Sequence, residues 1–128
     1  MPALWQFLLV ALGGAAGACS RYAVQHFSFF NDSKFYLTAI VNLVGCLVIG
    51  VVWSVISHAT PAKWVNPLIM AGFLGGFTTF SSFALDTVKL MADGHWLEGA
   101  GYLLLSTVGG LMLCAAGWCI TNRLIFNS

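Results

Sequence analysis

Four long stretches free of Asp, Glu, Lys and Arg divide this chain: Met1–Ser20, Phe35–Ala62, Trp64–Leu85 and Gly99–Asn122. Short polar clusters separate them, at Asn31-Asp32-Ser33-Lys34, Pro61-Ala62-Lys63 and Asp93-Gly94-His95. Each stretch supplies the roughly 20 apolar residues that an α-helix needs to cross a hydrocarbon core. The pattern predicts helices near 3–29, 35–58, 64–91 and 96–124, within a single four-helix transmembrane domain spanning 1–128. Met1–Ser20 has the apolar look of a secretory leader. No basic segment precedes it and no clear cleavage motif follows, so it is read as the first span.

Composition agrees. Hydrophobic residues make up 59% of the chain and charged residues 7%, against about 25% charged in soluble domains. A soluble fold this short could not hide so much apolar surface. Trp5, Trp53, Trp64, Trp96, Trp118 and Tyr36 fall toward span ends, where aromatic side chains anchor at the interface. His26, His58 and His95 also lie near ends and are expected to be solvated or interfacial. Cys19, Cys46, Cys114 and Cys119 form no C-x-x-C pair and have no nearby His; they are expected to be small buried apolar residues. The net charge of +1, without a basic cluster, excludes a nucleic-acid partner. No nucleophile–base or metal-ligand set suggests an enzyme.

Four spans put both termini on one side of the membrane, together with the second loop. That side carries Lys63 and Arg123; the other carries Lys34 and Lys89, with Arg21 near the end of the first span. Orientation follows the Lys/Arg bias of short loops, and here the bias nearly vanishes. A chain without it is expected to insert both ways, and opposed copies can pair about an axis in the membrane plane.

The third span carries the candidate chemistry. Gly72, Gly75 and Gly76 precede Thr78-Thr79 at mid-span. Two readings are open. Gly beside Ser/Thr can break a membrane helix, freeing carbonyls for a hard cation and amides for an anion; or the glycines can serve a close crossing of intact helices. Phe80 and Phe83 share a helix face, and ring edges carry partial positive charge. Thr78, Thr79, Ser81 and Ser82 add four hydroxyls, which either bond back to their own helix or form a polar track with Asn42 of the second span. Asn42 can donate to an anion or bond another helix. Gly13-Gly14-x-x-Gly17 and Gly109-Gly110 are small-residue packing patches.

The segment Gly72-Phe73-Leu74-Gly75-Gly76-Phe77-Thr78-Thr79-Phe80-Ser81-Ser82-Phe83 closely resembles the G-F-x-G-G-x-T-T-F-S-T-F signature of the Fluc/CrcB fluoride channels. Gly14-x-x-Gly17-Ala18-x-x-Arg21-Tyr22 is similar to that family's first-helix pattern, and Asn42-Leu43-x-Gly45 to its second-helix asparagine motif. The resemblance covers essentially the whole chain. It implies an all-α membrane protein of four transmembrane helices, the third broken mid-span, assembled as a dual-topology antiparallel homodimer. It also implies passive fluoride export from the cytoplasm across the cell (inner) membrane, through two pores each built from both subunits.

By resemblance, Asn42, Thr79, Phe80, Ser81, Ser82, Phe83, Tyr102 and Ser106 belong to the fluoride pathway, and Arg21 draws anions into an aqueous vestibule. Backbone carbonyls of Gly75 and Thr78 from both chains would hold a structural sodium ion on the dimer axis. Three positions depart from the family pattern. Ser82 stands for the commoner Thr, and Asp86 for the usual Glu. Gly110 stands where a Ser is frequent, with Ser106 and Thr107 as substitutes. Arg21 and Asp86 both fall late in parallel spans, so they could meet near one interface, where pairing would lower the cost of each charge. The alternative is a small multidrug-type, proton-coupled exporter. That mechanism needs an acid embedded in the membrane, but the first two spans contain none.

Overall fold

A computed structural model describes residues 2–26 and 34–126. Among the described residues all regular structure is helical: α1 (Ala3–His26), α2 (Lys34–His58), α3 (Asn66–Leu74, wound in wide π-type turns, then one α-helical turn at Gly75–Phe77), α4 (Phe80–Ala92) and α5 (Trp96–Thr121, with a π-type tail Asn122–Phe126). Four segments are long and apolar enough to cross a membrane, the third being Asn66–Ala92, which takes in both α3 and α4. The chain is a multi-pass membrane protein. The first span was expected to reach residue 29; its last three positions and the cluster Asn31–Ser33 lie outside the described residues.

α1 lies along α3, and α2 lies along α5, while α4 packs on the start of α5. Both long pairs run parallel, because contacts advance together along each. In the first pair, Gly13 meets the backbone of Leu68 and Phe73, and Gly17 meets that of Phe73 and Phe77. In the second, Gly110 lies against Cys46 and, one turn on in both helices, Gly50 lies against the Cys114 carbonyl. A Cβ at Gly13, Gly17 or Gly50 would run into backbone. Without a hydrophobic force between helices in lipid, such bare contacts let dispersion and weak polar contacts act at close range.

The wide winding of α3 starts at Asn66-Pro67. Proline fits a first turn because its missing N–H would have no helical partner there. Asp93 ends α4, and Gly94, at φ 84, makes the turn into α5. His95 N–H donates to Leu90 C=O at 2.9 Å and Gly94 N–H to Met91 C=O at 3.1 Å, which satisfies two carbonyls left over at the helix end.

The apolar surface lies outside. Leu97, Phe80, Leu111 and Phe7 are largely exposed, and all five tryptophans are about half exposed near span ends. The small interior core joins Ala39, Phe83 and Tyr102, with Phe35 and Leu90 packed on it. Cys19 and Cys119 are exposed and Cys46 and Cys114 partly so, contrary to the expectation that all four are buried. In a bundle this small each helix turns most of its circumference outward, so an apolar cysteine need not be covered by its own chain. The three histidines are exposed at helix ends.

Candidate functional site

The third span is interrupted at Thr78-Thr79. Thr78 is extended (φ −82°, ψ 155°) and so is Thr79 (φ −148°, ψ 116°), between the end of α3 and the start of α4. A helix interrupted inside a membrane leaves orphan amides and carbonyls that need partners. The chain supplies several. Thr78 N–H and Thr78 Oγ1 both donate to the Leu74 carbonyl, at 3.0 and 2.9 Å. Arg21 Nε, from α1, donates to the Gly76 carbonyl at 3.2 Å. Thr79 Oγ1 accepts from Ser82 N–H at 3.2 Å and donates to Ser82 Oγ at 3.1 Å, so Thr79 is the N-cap of α4.

Asn42 holds the interruption from α2. Its Nδ2 donates to the Thr79 carbonyl at 2.9 Å, and its Oδ1 accepts from Thr79 N–H at 2.7 Å. The amide therefore gives the Thr79 N–H the acceptor that the broken helix withholds, and adds a second donor to the Thr79 carbonyl. One Nδ2 hydrogen remains unspent. Three residues on, Gly45 lies against the Thr78 methyl, so α2 approaches the break without a side chain between them.

A cavity of about 570 Å³ opens beside this break. Among the residues expected to act, Asn42, Gly75, Thr78, Thr79, Phe80, Phe83 and Ser106 line it. Phe80 and Phe83 have ring centroids 5.6 Å apart at 56°, with Phe83 buried in the chain and Phe80 79% exposed. Ser106 Oγ is buried and has no hydrogen-bond partner among the described residues, whereas the neighbouring Thr107 hydroxyl bonds its own helix at Leu103 O, 2.7 Å. Of the two hydroxyls near Gly110, Ser106 alone is therefore left to offer a bond to the cavity.

Other expected residues lie elsewhere. Ser81 is exposed, its hydroxyl 3.4 Å from Thr79 Oγ1. Tyr102 packs on Phe83 with centroids 5.3 Å apart and donates to Asp86 Oδ2 at 3.4 Å. Ser82 and Asp86 line a second, smaller cavity of about 280 Å³ with Tyr22, Gln25 and Thr38. Arg21 does not pair with Asp86. Among the described residues the acid–base contact is His95 Nδ1 to Glu98 Oε1, at 3.8 Å, an ion pair only when the imidazole is protonated. Arg21 turns instead to the α3 end, where a helix C-terminus attracts a cation, and Asp86 has the Tyr102 hydroxyl. Sequence reasoning passed over Thr38, buried and accepting from Gln25 Nε2 at 3.3 Å. Its place four residues before Asn42, on the same helix face, was the available signal.

Oxygen donors suit a hard cation, and the carbonyl-bearing Gly75 and Thr78 both border the main cavity. Among the described residues no group of three or more His, Cys, Asp or Glu is placed to hold a metal.

Comparison with known proteins gives a consistent picture. Residues 8–118 match the family described as CrcB-like protein, Camphor Resistance (CrcB). Relatives named fluoride-specific ion channel FluC include one from Chloroflexus aurantiacus, 41% identical over 86% of this chain and 90% of the relative. Another, from Leptospira interrogans, is 42% identical over 90% of this chain and 94% of the relative. A third, from Desulfotalea psychrophila, is 36% identical over 99% of this chain and the whole relative.

Proposed function

Since this chain belongs to the CrcB family, we propose that it is a fluoride-selective ion channel that lets cytoplasmic fluoride leave passively and so reduces fluoride toxicity. One observation carries the mechanism: an Asn42-clamped break in the third span opens beside Phe80 and Phe83 onto a single cavity. Fluoride entering this path gives up hydration water, so each site must offer partial positive charge. Ring edges of Phe80 and Phe83 offer it without formal charge. The free Nδ2 hydrogen of Asn42 and the Ser106 hydroxyl offer hydrogen bonds, with Thr79, Ser81, Ser82 and Tyr102 continuing the polar path. No full cation stands among these groups. Several weak sites let an ion enter and also leave, which conduction requires. Arg21, at the edge of the path, supplies a positive potential that draws anions inward.

The working unit of this reading is an antiparallel homodimer of dual topology. The support is the near-absent Lys/Arg bias, two against two or three, and the cavity, which opens at the exposed Phe80 ring. Gly75 and Thr78 carbonyls of the two chains would hold a structural sodium ion; that ion would fix the facing α3 ends by neutralising their carbonyl dipoles. An α-helical bundle suits a cell's inner membrane, since outer-membrane proteins are barrels. The exporter alternative is not favoured, because the named relatives are channels. Producing the protein in a fluoride-sensitive microbe must restore growth on fluoride; no rescue by a protein that reaches the membrane contradicts the reading.

A further inference from the structure

Four helices meet in one row of hydrogen bonds where α1 ends and α2 begins. Gln25 Nε2 on α1 donates to Thr38 Oγ1 on α2 at 3.3 Å. The Thr38 hydroxyl is bonded in turn with the phenol of Tyr102 on α5. Tyr102 Oη donates to Asp86 Oδ2 on α4 at 3.4 Å. The two middle members are buried, Thr38 at 2% exposure and Tyr102 at 4%. The row has one direction. An ionised carboxylate only accepts, so the Tyr102 proton is committed to Asp86. The phenol oxygen then takes the Thr38 proton, and Thr38 Oγ1 takes a donor from the Gln25 amide. Hydrogen bonds in such a row polarise and strengthen one another. A helical threonine otherwise donates to its own backbone one turn earlier, as Thr87 and Thr107 do here.

We propose that Gln25, which is not itself a member of the fluoride path, is a positioning residue for conduction: its donation to Thr38 pins Tyr102, and through Tyr102 it fixes the Phe83 ring whose edge meets the ion. The inference rests on the reading that fluoride passes Phe83. The Tyr102 ring lies between Phe35, edge-on with centroids 5.5 Å apart, and Phe83, with centroids 5.3 Å apart. Pinning its hydroxyl therefore fixes a wall of the Phe83 pocket. Orientation matters because an aromatic ring is positive at its edge and negative on its face. A Phe83 ring free to turn offers the anion repulsion as well as attraction. Without the Gln25 donor, Thr38 returns to its own helix, the phenol oxygen loses its donor and the Tyr102 ring is held at one end less.

The test measures fluoride efflux from proteoliposomes for the wild-type chain, Gln25→Met and Gln25→Glu, with leak from protein-free vesicles subtracted. Gln25→Met keeps the length and cannot donate. Gln25→Glu keeps the shape and donates only when its carboxyl is protonated. Tyr22, His26 and Asp86, the titratable groups that line the cavity beside Gln25, are common to all three proteins. Each flux is therefore taken as a ratio to wild type at the same pH. Gln25→Met is expected to lose about tenfold at every pH while staying monodisperse. Thr38→Val breaks the same row and sets the same reference level if Gln25→Met does not fold. Gln25→Glu is expected to lie below that level at about pH 8 and to rise above it, toward wild type, as the pH falls to about 5. Relief of a repelling charge alone would bring it only up to that level. Wild-type flux through Gln25→Met, or a Gln25→Glu ratio that never exceeds the reference level, overturns this inference alone. Absence of fluoride flux through the wild-type chain overturns the reading beneath it.

Discussion

The Asn42 amide and the Thr79 peptide group exchange two hydrogen bonds, 2.9 and 2.7 Å long, across the interruption of the third span. This is a side chain acting as a missing piece of helix backbone. Asn42→Ala leaves the Thr79 N–H at membrane depth without a partner and takes one donor from the Thr79 carbonyl, which costs about 1–3 kcal/mol for the group left unpaired. Asn42→Asp keeps the acceptor but sets a carboxylate against the Thr79 carbonyl. Both variants are expected to unfold at lower denaturant in detergent and to lose at least about tenfold in fluoride flux. Normal flux in a stable Asn42→Ala protein would show that the clamp has no part in conduction.

The two phenylalanines separate stability from transport. Phe83 is buried against Ala39 and Tyr102, while Phe80 is 79% exposed in the chain. Phe83→Ile therefore loses packing worth about 1–3 kcal/mol, and Phe80→Ile leaves the fold of the single chain unchanged. Both are expected to abolish fluoride flux with the dimer intact, read by proteoliposome efflux beside gel filtration. Full flux through Phe80→Ile would remove that ring from the pathway.

Ser106 tests the polar path from the other side. Its hydroxyl is buried with no partner among the described residues, so Ser106→Ala removes a group that their fold does not use. Thermal stability should hold or rise, since an unpaired buried hydroxyl is itself a cost. Fluoride flux should nonetheless fall. A stability loss above about 1 kcal/mol would mean that the hydroxyl has a structural partner.

A pair of glycine substitutions tests the α1–α3 contact. At Gly17 an added methyl strikes the Phe73 carbonyl, while at Gly101 nothing lies within 4 Å. Gly17→Ala is expected to destabilise by about 1–3 kcal/mol or more and to lower the yield of monodisperse protein. Gly101→Ala should be neutral in the same gel-filtration assay.

The four spans were legible because apolar length alone specifies a membrane helix. The position of the break was legible only in outline. The glycines drew attention to Gly72–Gly76, yet the extended residues are Thr78 and Thr79. Gly72 and Gly76 serve close contact with Gly13 and Gly14 of α1, so the span is closely crossed at its glycines and broken at the threonines, and the intact helix of the second reading is not found. Asn42 was singled out as an interior amide, but its partner lies 37 positions away. Arg21 could have met Asp86 and instead meets Gly76, 55 positions away. Helical periodicity says which face a residue occupies. It does not say which carbonyl of a neighbouring helix lacks a bond, and that is decided by where the neighbour breaks.

The central claim is that this chain conducts fluoride selectively and passively. Efflux from proteoliposomes loaded with potassium fluoride, with potassium chloride as the control and an ionophore balancing charge, tests it most directly. Rapid fluoride release without measurable chloride release, in the absence of a proton gradient, is the expected result. Comparable chloride flux, or no fluoride flux from well-folded protein, contradicts it.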